Sequence, residues 1–107
     1  MLIMSILESS SGPLKPAELF VLAVLRNGPL HGYGLVQEVT LLSQGRIRIR
    51  PGNLYRVLDR MLERGFIETA GQPDARRTLY RITPLGRKAA LAEAKLLAGV
   101  IAELLAT

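Results

Sequence analysis

The sequence has 107 residues, 49% hydrophobic and 21% charged, which suits one compact domain with a packed core and excludes a disordered chain. It contains no cysteine, which excludes disulfide frameworks and thiolate metal sites, and no apolar run is long enough to span a bilayer. The formal net charge of +5 is concentrated: residues 46–88 hold ten arginines and Lys88 against four acids, a surplus of seven, while the remainder has three cations against five acids.

The N-terminal MLIMSILESSSG is apolar but lacks a basic leader and an A-x-A-like cleavage site. It is read as a short helix rather than a signal peptide, and the expected compartment is the cytoplasm. SSSGPLKP (9–16) is a turn-rich junction. PAELFVLAVLRNGP (16–29) opens on Pro16 and closes on Asn27-Gly28-Pro29, the start and stop signals of a helix. Leu19, Phe20, Val21, Leu22, Val24 and Leu25 are apolar nearly all round, so this helix belongs at the centre of the domain. LHGYGLVQEVTLLSQG (30–45) predicts a second helix with Leu35, Val36, Val39 and Leu42 inward. RIRIR (46–50) alternates strictly and predicts a short strand with Ile47 and Ile49 on one face.

Pro51 fits the first turn of a third helix, and Gly65 stands where a helix-ending glycine belongs. Between them Leu54, Val57, Leu58, Met61 and Leu62 form an apolar stripe, with Asn53, Arg56, Arg60 and Arg64 on another face. FIETAGQPDARRTLYRIT (66–83) reads as two strands around a turn, with Tyr80 and Ile82 on one face and Arg77, Leu79 and Arg81 on the other. Thr83 as N-cap and Pro84 at the first position open a last helix. Its later half is apolar at Leu96, Leu97, Val100, Ile101, Leu104 and Leu105, a stripe that calls for a partner.

The predicted order of elements is that of a winged helix-turn-helix, mainly α with a small β wing. Residues 1–83 form the DNA-binding domain with its short N-terminal helix, and residues 84–107 a dimerisation helix, in one compact unit. A basic middle in a near-neutral frame is a footprint for a polyanion, and arginine favours bidentate contact with phosphate or guanine. The third helix keeps its apolar stripe on the core and turns Arg56 and Arg60 toward the major groove of double-stranded DNA. Asn53, at the start of that helix, touches a base or phosphate, or serves a local turn. Tyr55 packs its ring beside the core while its hydroxyl meets a phosphate. Tyr33 opens the second helix, whose N-terminal amides suit a phosphate. Arg76 and Arg77 at the hairpin tip reach the flanking backbone or minor groove. Arg64 has two readings of equal weight, DNA contact or complement to the helix dipole. Arg46, Arg48 and Arg50 are the charged edge of the short strand or, for Arg50, a phosphate contact.

The three segments LFVLAVLRNGPLHGYGLVQEV, GNLYRVLDRMLERGFIE and RRTLYRITPLGRKAAL follow one another over residues 18–91. In this order and spacing they resemble the PadR family of transcriptional regulators, in its short form with a single C-terminal helix. The resemblance implies a homodimeric repressor acting on a near-palindromic operator and responding to a small aromatic or drug-like effector. Leu97, Val100, Ile101, Leu104 and Leu105 would form the seam between subunits. Two departures stand out. Arg50 occupies the cap of the recognition helix, where family members often carry serine or threonine. The chain has no tryptophan, so stacking of planar drugs between tryptophans is not carried over.

The rival reading is a winged helix used as a protein-interaction module, which would present an apolar recognition face and bind DNA with weak salt dependence. An enzyme is not expected: one histidine, no cysteine, no phosphate-cradling glycine loop and no ligand cluster leave no catalytic constellation, cofactor or metal. His31, the one histidine, is read as packing at the start of a helix.

Overall fold

A computed structural model describes residues 13–71 and 77–106. The expected N-terminal helix and Arg76 lie outside the described residues. Helix α1 (Pro16–Leu25) runs through the centre, with Val21, Leu22, Val24 and Leu25 buried. Pro16 sits in its first turn, and the Glu18 carboxylate accepts the Lys15 N–H at 2.8 Å. A two-residue strand β1 (Leu30–His31) leads into helix α2 (Gly32–Leu42), where Leu35 and Val39 are buried. Helix α3 (Pro51–Glu63) is followed by strand β2 (Ile67–Thr69), strand β3 (Leu79–Ile82) and helix α4 (Pro84–Leu105).

The three strands form one antiparallel sheet in the order β1-β3-β2. Ile67 faces Ile82, Glu68 faces Arg81 and Thr69 faces Tyr80 across the hairpin, while Leu30 and His31 pair with Tyr80 and Leu79. Alternation along β3 buries Tyr80 and Ile82 and exposes Arg81, as the period of a strand requires. Arg81 and Glu68 pair at 2.9 Å on the outer face, both about half exposed, so this bond contributes little to stability.

Two segments and one side chain depart from the sequence expectation. Residues 46–50 form no strand, although their alternation is real: Ile49 is buried and Ile47 partly so. The third strand of the sheet is instead Leu30–His31, which the sequence reading assigned to the second helix. The free edge of β3 can pair with one segment only, and β1 occupies it. The 46–50 backbone is tied to a side chain: the buried Ser43 hydroxyl accepts the Ile47 N–H at 2.9 Å. Leu42 also departs from expectation. It is the last residue of α2 and is 52% exposed rather than inward.

Tyr80 is the aromatic side chain through which the sheet meets the core. Burial pushes its phenol above the ordinary value, and the nearby Tyr55 and Asp59 act in the same direction. A phenol that ionises less readily in the folded chain contributes stability below the ordinary tyrosine pKa of about 10. That stability is lost as the pH rises through the folded value. The thermal midpoint of the wild type should therefore fall more steeply above about pH 10 than that of Tyr80→Phe. Parallel pH profiles would contradict this.

Candidate nucleic-acid interface

Helix α3 owes its orientation to its own sequence. Leu54, Leu58 and Met61 lie one turn apart and are buried, with Val57 and Leu62 partly buried beside them. The opposite face therefore points to solvent and carries Asn53, Arg56 and Arg60, all exposed. Pro51 starts the helix, and Arg50 caps it without any side-chain hydrogen bond, as a guanidinium has no acceptor to offer. The Arg50 carbonyl instead accepts from the Asn53 and Leu54 amides, both at 2.9 Å, and its side chain stays exposed.

The helix ends at Gly65, whose φ of +76° places it in the left-handed region that glycine tolerates. Just before it, Arg64 turns away from the exposed arginine face. Its guanidinium lies 4.6 Å from the centre of the buried Phe66 ring and 3.8 Å from the buried Glu18 carboxylate. Leaving either charge alone at this site would be costly. Arg64 is therefore a structural cation that ties α3 to α1. Neither of the two sequence readings of Arg64 named this ion pair or this ring contact. A partner 46 positions upstream cannot be seen by helical spacing. The available signal was a lone acid in the apolar α1, at the third position of the helix.

Tyr33, Tyr55 and Arg77 come together. They line a cleft of about 370 Å³ with His31, Gly32, Thr78 and Tyr80, where the start of α2, the exposed face of α3 and the start of β3 meet. Tyr33 is 70% and Tyr55 60% exposed. Tyr55 is thus wetter than a ring packed beside the core, and the phenol at the core is Tyr80 instead. The His31 ring caps α2 by accepting the Gly34 N–H at Nδ1, 3.3 Å away. His31 and Thr78 are cleft residues that sequence reasoning did not assign to binding; their position beside Tyr33 and Arg77 in the chain was the signal. The cleft offers hydroxyls, a guanidinium and the N-terminal end of a helix, the donor set that receives phosphate oxygens.

Away from the cleft residues, α4 packs against α1. Ala89 and Ala90 pack against the core, and beyond them the helix projects its apolar residues outward. Val100, Ile101, Leu104 and Leu105 are 50%, 54%, 78% and 77% exposed, and Leu97 is 38% exposed. An apolar groove of about 720 Å³ runs between the two helices from Phe20 and Leu19 to Leu97 and Ile101, with Arg26 and Arg87 among its lining residues. Among the described residues, no three His, Cys, Asp or Glu side chains gather as a metal site, and no helix is long and apolar enough to cross a membrane.

The sequence pattern of the transcriptional regulator PadR-like family matches residues 21–92. Comparison with curated protein sequences gives no match. Among solved structures, a transcriptional regulator from Clostridium thermocellum is 27% identical with a TM-score of 0.67, over 83% of this chain and 89% of that one. The MosR transcriptional regulator of Mycobacterium tuberculosis, in complex with DNA, is 26% identical with a TM-score of 0.70, over 91% of this chain and 65% of that one. RosR of Halobacterium salinarum is 22% identical with a TM-score of 0.68, over 91% and 83%, a likeness of fold.

Proposed function

Because the chain belongs to the PadR-like family of transcriptional regulators, we propose that it is a homodimeric repressor that binds a near-palindromic operator in the cytoplasm. The observation that carries the proposal is the exposed Asn53–Arg56–Arg60 face of α3, set beside the Tyr33–Tyr55–Arg77 cleft. Arg56 and Arg60 enter the major groove, with Asn53 at its edge. Arg50, Tyr33 and Tyr55 hold the phosphates on either side, and Arg77, with Arg76 before it, carries the wing to the flanking backbone. Residues 1–83 are the DNA-binding part and residues 84–107 the dimerisation part. The DNA held by MosR supports a nucleic-acid role for this shared fold. Leu97, Val100, Ile101, Leu104 and Leu105 pair with those of a second subunit, because so much exposed apolar surface is unfavourable on a small domain. A small aromatic or drug-like effector acts by stabilising a dimer whose recognition helices are wrongly spaced; the apolar groove beside the seam has room for one.

Titrating labelled duplex DNA with the protein across salt concentrations tests the reading. Affinity should fall linearly on logarithmic axes, with a slope of about −0.9 per phosphate contacted. Arg77→Ala should weaken all sequences alike and flatten that slope by about one unit. Binding insensitive to salt would favour the protein-interaction module, and loss at a single base pair would mean that the wing reads sequence.

A further inference from the structure

The recognition helix and the helix assigned to dimerisation are joined by a clasp at Thr83 and Gly86. The Thr83 hydroxyl serves both ways. It donates to the Gly65 carbonyl at 2.6 Å and accepts the Gly86 N–H at 3.0 Å. The Thr83 N–H donates to the Phe66 carbonyl at 3.1 Å. Gly65 and Phe66 are the residues that end α3: their amides return to the Leu62 and Met61 carbonyls, each at 3.0 Å. Thus one hydroxyl closes the first turn of α4 and also grips the carbonyl end of the recognition helix.

Gly86 makes the approach possible. It is buried, and a Cβ built on it would collide with the Phe66 carbonyl oxygen and stand 2.9 Å from its carbonyl carbon. The nearest obstacle is backbone, which cannot yield as a side-chain tip can, and Ile82 Cγ1 stands 3.0 Å away as well. The Phe66 ring is itself fully buried beneath Arg64, which reaches Glu18 of α1. The end of α3 therefore has little freedom to turn without carrying the start of α4 with it.

We propose that Thr83 and Gly86 are positioning residues that make the recognition helix and the first turn of α4 one rigid body, so that half-site spacing on DNA is transmitted through this clasp. The proposal rests on the dimeric DNA-binding reading above. Neither residue lines the candidate DNA cleft or the apolar groove beside the seam, so an effect on spacing reaches DNA through geometry. Any effector must then act beyond this turn, on the later part of α4 and the groove beside it.

The test measures binding to a set of duplexes that carry two half-sites separated by spacers of every length over one helical turn. Wild type, Thr83→Val and Thr83→Ser are compared, with sedimentation and thermal melting of each. Valine keeps the shape and removes both hydrogen bonds, whereas serine keeps them. Thr83→Val should remain dimeric, lose about tenfold at the best spacer and bind neighbouring spacers nearly as well, the scale expected for a lost part-buried hydrogen bond. Thr83→Ser should keep the wild-type profile. A folded Thr83→Val whose spacer profile matches that of the wild type overturns the proposal, even if its melting temperature is lower. Hydrogen exchange of the wild type is a second test: the Thr83 and Gly86 amides should exchange as slowly as those of α1, and fraying there overturns the clasp. A wild type with no preference for paired half-sites overturns the dimeric reading itself, and this proposal with it.

Discussion

Ile101→Glu should leave the protein monomeric at micromolar concentration and lower its operator affinity by about 10²–10⁴-fold, the scale of advantage gained when two linked sites bind together. Ile101 is 54% exposed in the isolated chain and lies between Leu97 and Leu104, at spacings of four and three. These residues occupy the outer half of a 22-residue helix, beyond the alanines that pack on the core. A glutamate here meets water in a monomer and apolar side chains in a dimer, where an unpaired charge is strongly disfavoured. The substitution therefore acts on association and not on folding. Sedimentation measures the first effect, with a dimeric wild type as reference, and operator titration the second. Undiminished operator affinity from a verified monomer would show that α4 serves folding or an effector instead of DNA recognition.

The double variant Arg56→Ala/Arg60→Ala should melt like the wild type and lose specific binding. Both side chains are exposed and make no described hydrogen bond or ion pair, and alanine is at least as good a helix former as arginine. A bidentate arginine–guanine contact supplies about 1–3 kcal/mol of discrimination, so each lost contact should weaken binding at one operator position by roughly ten- to hundredfold. Binding as tight as wild type at the same salt would remove α3 from the major groove. All three arginines follow the same helical spacing, yet Arg64 contacts Glu18 and Phe66, while Arg56 and Arg60 are exposed.

The helices were legible in the chain because their ends carry strong local chemistry. Pro16, Pro51 and Pro84 each sit in a first turn, Thr83 caps α4, and Gly65 closes α3 at positive φ. The stripe of α3 was legible because five apolar residues repeat at helical spacing around a buried face. The sheet was less so. A two-residue strand has no period to detect, and Leu30–His31 earns its place from β3, whose paired residues lie 48 and 50 positions away. The alternation in RIRIR reported burial correctly and pairing wrongly, since burial follows from the pattern while pairing needs a free edge.

The cleft residues stood out one by one in the sequence but not as a constellation. Tyr33, Tyr55 and Arg77 were each singled out for a local reason: a helix start, a helix face and a turn. Their convergence on one cleft depends on how β1 and the wing pack around α3, which spacing cannot express. The clasp at Thr83 has the same character. Thr83 was recognisable as an N-cap, and that role is seen in its bond to Gly86, but its second bond, to Gly65, joins residues 18 positions apart. The apolar stripe on the later half of α4 is legible for the opposite reason: Val100, Ile101, Leu104 and Leu105 remain exposed in the isolated chain.

Selection of bound duplexes from a random DNA pool by the purified protein tests the central claim most directly, because it reads recognition and assembly together. The account predicts an enriched motif with two-fold symmetry, its half-sites centred about 10–10.5 base pairs apart or a multiple of that, as two recognition helices in successive major grooves require. An asymmetric single half-site would contradict the dimer, and a pool without enrichment at moderate salt would contradict sequence-specific binding itself.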